Sequence, residues 1–194
     1  GALSYGKPIG EGKEYFFYDA CEKVNGIYDK NGELSGHCIL YYKNHEVCYE
    51  GQFLSGLKHG YGIEYYNNGT IKYDGYWCLG QRYGKGTMYW DPHYGRKKIA
   101  KDVFELTVTA TVKKQTKAQI LYDGMWDEDK FNGQGKWCHL NGKPFYEGYF
   151  EKGQPQCEPA KFELEKESIK LFDDNGKQLP VGSWVDWYKK FPHY

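Results

Sequence analysis

Along most of the chain, aromatic and small residues alternate with polar ones in short stretches broken by glycine-bearing turns. In Tyr73-Asp74-Gly75-Tyr76-Trp77 the first, third and fifth residues share one face of a strand, while Asp74 and Tyr76 share the other. The same opening recurs as Tyr49-Glu50-Gly51, Tyr73-Asp74-Gly75, Tyr122-Asp123-Gly124 and Tyr146-Glu147-Gly148. The first two begin 24 residues apart, and so do the last two. A fixed period of this size marks a repeat array, whose units bury a core only by stacking on their neighbours.

Each unit contains two alternating stretches separated by a turn, which predicts one β-hairpin per repeat. The first holds Phe53, Gly56, Gly60, Gly62, Tyr65 and Gly69, and the next holds Trp77, Gly80, Gly84, Gly86 and Tyr89 at the same offsets. The unit from Tyr122 has Trp126, Gly133, Gly135, Trp137 and Gly142, with Asp129 where a turn glycine stands elsewhere. Glycine inside a strand marks a close approach by another group. The expectation is that an aromatic from one hairpin lies over the bare glycine backbone of the next. Upstream, Val24-Asn25-Gly26 begins a fainter copy one residue early, and Gly6, Gly10 and Gly12 match the second half of another. Either the first repeat is a half unit or the sequence is a piece of a longer protein.

Tyr73 and Tyr122 lie 49 residues apart, two periods and one residue. Residues 96–121 lack glycine but alternate cleanly through Val103 to Val112, rich in β-branched residues, and a short strand is expected from Ala118 to Tyr122. This predicts an atypical hairpin that takes one rung of the sheet in place of a repeat. After Gln156, Lys161 to Glu165 and Ser168 to Phe172 read as strands, the latter turning at Asn175-Gly176. Ser183 to Phe191 is patterned as a short amphipathic helix, with Ser183 as N-cap and Trp184, Trp187, Tyr188 and Phe191 on one side. The expected division is an array over 1–155, including the atypical hairpin, and a strand and helix cap over 156–194.

These residues resemble the MORN (membrane occupation and recognition nexus) repeat. Its unit is Tyr-Glu-Gly, an aromatic two residues on, a turn glycine, Gly-x-Gly, then another aromatic and a closing glycine. His59-Gly60-Tyr61-Gly62 and Tyr83-Gly84-Lys85-Gly86 match its centre. The resemblance spans Tyr49 to Gly95 and Tyr122 to Gly153; it weakens from Gly6 to Cys48 and is absent in 96–121 and after Pro155. It implies an all-β fold, an elongated, twisted, single-layer antiparallel sheet of stacked hairpins. It also implies a scaffold, a dimerising cytoskeletal or ciliary component, or an accessory segment of a larger enzyme. Lipid binding has been proposed for the family.

Composition fits that architecture. Aromatics make up 19% of the 194 residues, with 20 tyrosines, and flat amphipathic rings suit a sheet with little interior. No apolar run approaches the roughly 20 residues that span a bilayer. The six cysteines sit at unrelated repeat offsets, which points to free thiols and a reducing compartment rather than a disulfide framework. Net charge is zero, so no global field recruits nucleic acid. Locally, Arg96, Lys97, Lys98, Lys101, Lys113, Lys114 and Lys117 outnumber Asp102 and Glu105. In a hairpin these bases would gather at its two tips, as solvated edge charges or as a site for acidic lipid or an acidic partner.

No spacing of nucleophile-elbow, phosphate-loop or metalloprotease type is present. His37-Cys38 and Cys138-His139 lack an accompanying Cys-x-x-Cys, and adjacent strand residues face opposite ways. No enzyme activity, cofactor or metal is expected. Tyr49, Tyr73, Tyr122 and Tyr146, with Phe53, Trp77, Trp126 and Phe150, form the expected inter-repeat core. A one-layer sheet leaves one face open, so the candidate partner-binding set is Phe53, Tyr65, Trp77, Tyr89, Trp126, Trp137, Phe150, Trp184 and Trp187. The expected partners are a protein, a second copy of the chain, or an acidic membrane surface reached through the basic residues of 96–117.

Overall fold

The computed structural model describes residues 1–15, 22–92, 118–156, 170–173 and 175–179. Within them the regular elements are all strands. In chain order they are β1 (Ala2–Ser4), β2 (Lys7–Tyr15), β3 (Glu22–Tyr28), β4 (Leu34–Tyr41), β5 (Val47–Leu54), β6 (Leu57–Tyr65) and β7 (Ile71–Cys78). Then follow β8 (Gln81–Tyr89), β9 (Ile120–Asp127), β10 (Lys130–Cys138), β11 (Pro144–Glu151), β12 (Gln154–Pro155) and β13 (Lys170–Leu171). They form one open antiparallel sheet in which β1 to β12 lie in chain order. β12 and β13 share the outer edge of β11, with Phe150 opposite Pro155 and Tyr146 opposite Leu171. Gly176 closes the turn after β13 by donating to the Asp173 carbonyl at 2.8 Å. The basic residues Arg96 to Lys117, the strand expected over Lys161 to Glu165, and the helix expected over Ser183 to Phe191 lie outside the described residues.

From β4 onward two kinds of turn alternate between the long edges of the sheet. Ser55-Gly56, Leu79-Gly80, Glu128-Asp129 and Lys152-Gly153 have positive φ at both residues, the two-residue hairpin turn whose twist matches that of the strands. Five-residue loops join the hairpins on the other edge. In each, the first N–H donates to the last carbonyl, as Tyr42 to Glu46 at 2.9 Å, Tyr66 to Thr70 at 2.8 Å and His139 to Lys143 at 2.9 Å. Trp90 makes the equivalent bond to Gln119 at 2.8 Å.

That bond corrects the expected rung. β8 pairs directly with β9, Gly86 opposite Gly124, so nothing from residues 90–119 stands between them in the ladder. Residues 91–118 are therefore inserted between the two ends of what is elsewhere a five-residue loop. Trp90 to Gln119 spans 29 positions where Tyr66 to Thr70 spans four, an excess of 25 that mimics one more period. Ala118 and Gln119 precede the sheet, and Ile120 to Tyr122 open the first strand of the following repeat.

On one face, the leading tyrosines Tyr49, Tyr73 and Tyr122 each lie flat on two glycines. A methyl group added at Gly62, Gly86 or Gly135 would collide with the ring and hydroxyl of Tyr49, Tyr73 or Tyr122 respectively. Gly51 faces Gly62 across the β5–β6 pair, and Gly75 faces Gly86 across β7–β8. The bare backbone therefore belongs to the tyrosine's own hairpin and not, as expected, to the next. The neighbouring repeat instead supplies the edge-on ring. Tyr49 meets Phe53 at 5.3 Å and Trp77 at 5.5 Å, Tyr73 meets Trp77 at 5.1 Å and Trp126 at 5.3 Å, and Tyr122 meets Trp126 at 5.3 Å and Phe150 at 5.1 Å. Every one of these contacts is T-shaped, the arrangement that the ring quadrupoles favour.

The indole N–H groups fasten the ladder to the previous repeat. Trp77 Nε1 donates to the Gly62 carbonyl at 3.2 Å, and Trp126 Nε1 to that of Gly86 at 3.0 Å. Lids come from the start of each second strand. Lys58 Nζ lies 4.3 Å from the centre of the Trp77 ring, Arg82 5.1 Å from that of Trp126, and Phe131 stacks on Tyr122 at 3.8 Å. Lys58 is held by Glu64 at 2.9 Å. Burial pushes the Glu64 carboxyl up, but Lys58 and Lys72 more than reverse this and hold it below its ordinary value.

Two expectations follow. Gly86→Ala should cost about 3 kcal/mol or more in urea unfolding, because a collision with a fixed ring cannot relax cheaply. Gly80→Asn should cost under about 1 kcal/mol, since asparagine tolerates the left-handed region that Asp129 already occupies in the equivalent turn. Equal effects would sink the ring-on-glycine account. Replacing 91–118 with Asn-Asn-Gly, the central residues of the 66–70 loop, should preserve the circular dichroism spectrum. It should also raise stability by about 1–2 kcal/mol through the shorter closure. Loss of cooperative unfolding would show that the insertion belongs to the sheet.

Candidate functional site

The face opposite the ladder has no layer over it among the described residues. Strand alternation sends the middle residue of each opening tripeptide there, and the register lines these residues up. Glu50 pairs with Ile63, Ile63 with Asp74, Asp74 with Thr87, and Thr87 with Asp123. Lys136 then links Asp123 to Glu147, and Lys170 follows Glu147. Carboxylates thus sit on alternate strands of one straight cross-strand row, about 9.5 Å apart at the usual strand spacing.

Their neighbours differ. Glu147 lies between Lys170 at 3.1 Å and Lys136 at 3.5 Å. Burial alone would raise its carboxyl pKa, but the two ammonium groups bring it below the ordinary range. Asp74 accepts from the Tyr61 hydroxyl and Asp123 from Thr87 Oγ1 at 3.0 Å, while Glu50 lies 3.7 Å from His37 Nε2. A hydroxyl donor leaves the carboxylate's charge in place.

Aromatics border the row. On one side Tyr61 and Tyr76 meet edge to face at 5.8 Å, 45% and 53% exposed, and Met125 is 42% exposed. The hydrogen bond to Asp74 is the main reason that the Tyr61 hydroxyl is pushed up to about 12. On the other side stand Tyr65 and Tyr89, half-buried, whose hydroxyls are raised first by burial and then by the nearby carboxylates. Lys85 is the exposed cation opposite Met125.

The candidate partner-binding residues divide between the faces. Phe53, Trp77, Trp126 and Phe150 are 6%, 5%, 3% and 0% exposed, their rings enclosed in the ladder. Trp137 is half-buried on that same side, against Phe131 and Phe145. Tyr65 and Tyr89 are the two members on the open face. Trp184 and Trp187 lie outside the described residues, as do Arg96, Lys97, Lys98, Lys101, Lys113, Lys114 and Lys117. Sequence reasoning missed Glu50, Asp74, Asp123, Tyr61, Tyr76 and Met125. The signal was there: the acid recurs at the middle of every tripeptide, and alternation places it opposite the tyrosine.

Other chemistry is sparse. Cys38 is buried on the ladder face and His37 lies beside Glu50 on the open one, so the pair cannot grip one ion. Among the described residues no group of three His, Cys, Asp or Glu side chains is placed to hold a metal ion. Cys38, Cys48, Cys78 and Cys138 are free thiols. No described helix is long and apolar enough to cross a membrane.

Residues 49–71 and 122–142 match the family model of the MORN repeat, each match starting at the tyrosine that lies on the glycine pair. The chain is a MORN repeat protein. No match to a curated protein reaches significance. In MORN terms, the ladder face is built from the motif's tyrosine, glycines and following aromatic, and the open face from its acid together with the variable positions.

Asp74→Asn should bring the Tyr61 hydroxyl down from about 12 toward the ordinary value of 10.0. Ring-labelled tyrosine spectra recorded across alkaline pH would follow it directly. A titration that does not move would mean that Asp74 and Tyr61 are not bonded in solution.

Proposed function

We propose that this MORN array is a non-enzymatic scaffold that holds a protein partner against its open aromatic face, in a cytoskeletal or ciliary assembly. The supporting observation is the Tyr61–Tyr76 pair, two rings half in solvent beside Tyr65 and Tyr89 on a rigid sheet. Exposed tyrosines give a partner large contact area with little rotamer entropy to lose. The cytoskeletal or ciliary setting rests on the family resemblance, which points to a protein- or membrane-binding array.

A second reading is supported by the position of the insertion. Trp90 and Gln119 close its stem at the loop edge, outside the strand ladder. In this reading the basic residues Arg96 to Lys117, which belong to the segment between them, take acidic phospholipid and the open face is left to a protein.

Affinity capture from the native cell with quantitative mass spectrometry tests both. Three chains are compared: wild type, a Tyr61→Ser, Tyr76→Ser variant, and a Lys113→Glu, Lys114→Glu, Lys117→Glu variant, each checked for folding. A stoichiometric protein retained by wild type and the lysine variant but lost from the tyrosine variant is the expected result. Absence of any such protein, together with salt-sensitive sedimentation on anionic liposomes that the lysine variant abolishes, would put the lipid reading in its place.

A further inference from the structure

We propose that the occupant of the open face is an extended segment of the partner protein carrying lysine or arginine at every third position. This rests on the protein-scaffold reading and names the chemistry of what is held.

Charge selects the occupant. The array neutralises other partly buried carboxylates with lysines: Glu64 with Lys58 and Lys72, and Glu147 with Lys136 and Lys170. Glu50, Asp74 and Asp123 are treated differently. Among the described residues none of them is ion-paired to a lysine or arginine; their neighbours are His37, the Tyr61 hydroxyl and the Thr87 hydroxyl. Three carboxylates therefore stand in line beside exposed rings, opposed on that part of the face by Lys85 and, at its end, by Lys136, which stands opposite Asp123 in the register but is ion-paired to Glu147. An anionic membrane or an acidic segment is repelled from such a strip. A chain of ammonium or guanidinium groups is attracted, with its aliphatic stems laid over Tyr61, Tyr76 and Met125.

Spacing selects the conformation. The carboxylates recur every two strands, about 9.5 Å. A polyproline II segment advances about 9.3 Å in three residues and completes one turn in doing so, which returns every third side chain to the same side. An α-helix matches less well, because its nearest same-face repeat of seven residues covers about 10.5 Å. Aromatic-bordered grooves are also the usual seat of polyproline II ligands, whose order is largely preformed.

The test uses the full chain and fluorescein-labelled peptides in an anisotropy titration. One peptide is (Pro-Pro-Lys)5; the second has the same composition with its lysines in one block; the third is helical with a lysine at every seventh position. The expected result is at least tenfold tighter binding of the first, weakening as salt rises. The Asp74→Asn, Asp123→Asn variant should lose at least tenfold, and Lys85→Glu should gain severalfold. Equal affinity for the three peptides, or no effect of the aspartate changes in a folded chain, overturns the proposal. So does tighter binding of the helical peptide, or self-association of the chain that Tyr61→Ser, Tyr76→Ser abolishes. If the tyrosine variant loses the native partner while the aspartate variant keeps it, the scaffold reading stands and the basic occupant does not. If both variants keep it, both readings fail.

Discussion

A tyrosine ring lying flat on two glycines that face each other across a hairpin is the contact on which the rest of the structure depends. The ring needs both glycines, because a methyl group at either position meets its hydroxyl or the opposing backbone. It also needs a fixed reach. The hydroxyls of Tyr73, Tyr122 and Tyr146 donate to the carbonyl three residues on, at 3.0, 2.8 and 2.7 Å, which satisfies the one polar atom the burial would strand. With the ring seated, its upper surface is presented to its own repeat's second aromatic and to that of the next. The sheet thereby acquires a core without a second layer, one ring thick.

That arrangement explains chemistry on the ladder face that would otherwise look arbitrary. The residue opposite each repeat's second aromatic is Lys58, Arg82 or Phe131, which differ in charge and shape. All three do the same job, covering the exposed surface of the rings with a cation, a planar guanidinium or a stacked ring. Asp129 belongs to the same economy of parts. It stands where a turn glycine stands in other repeats, and its carboxylate accepts from Arg82 Nε at 2.9 Å, fixing the lid over Trp126. The left-handed backbone at Asp129 is tolerable because a short acceptor is useful there.

Much of this was legible because it rests on glycine and tyrosine at fixed offsets, and those positions admit few alternatives. The tripeptide spacing gave the hairpins, their stacking and the identity of the core rings. Two readings went astray for physical reasons. The insertion after Trp90 adds 25 residues to the spacing, close enough to one period that sequence alone cannot tell an inserted segment from a lost repeat; only the Gly86 to Gly124 pairing decides. A linear motif puts the glycine under each ring in the next hairpin, whereas the two glycines meet by folding back within one unit. The open face was harder to read. Its key residues, Glu50, Asp74 and Asp123, belong to the repeated tripeptide and carry no separate signal of their own, although alternation alone puts them on the side opposite the ring ladder.

The division of labour between the two faces has a consequence for how such an array acquires specificity. On the ladder face the repeats of this chain are nearly interchangeable: tyrosine, glycine, aromatic. On the open face the equivalent positions diverge, with Tyr61, Lys85 and Gln134 inside the Gly-x-Gly elements and His37 inside Gly36-His37-Cys38, and with Gln52, Tyr76, Met125 and Tyr149 across from His37, Tyr61, Lys85 and Gln134 in turn. Because adjacent strand residues point to opposite faces, a change at any of these positions leaves the ring ladder untouched. Stability and recognition are therefore carried by alternate residues of the same strands, and the second can vary without cost to the first. The acidic line through Glu50, Asp74 and Asp123 recurs on the open face with the repeat, as do Tyr65 and Tyr89 beside it. A partner that reads it must itself be periodic, and the variable rows on either side then decide which periodic partner fits.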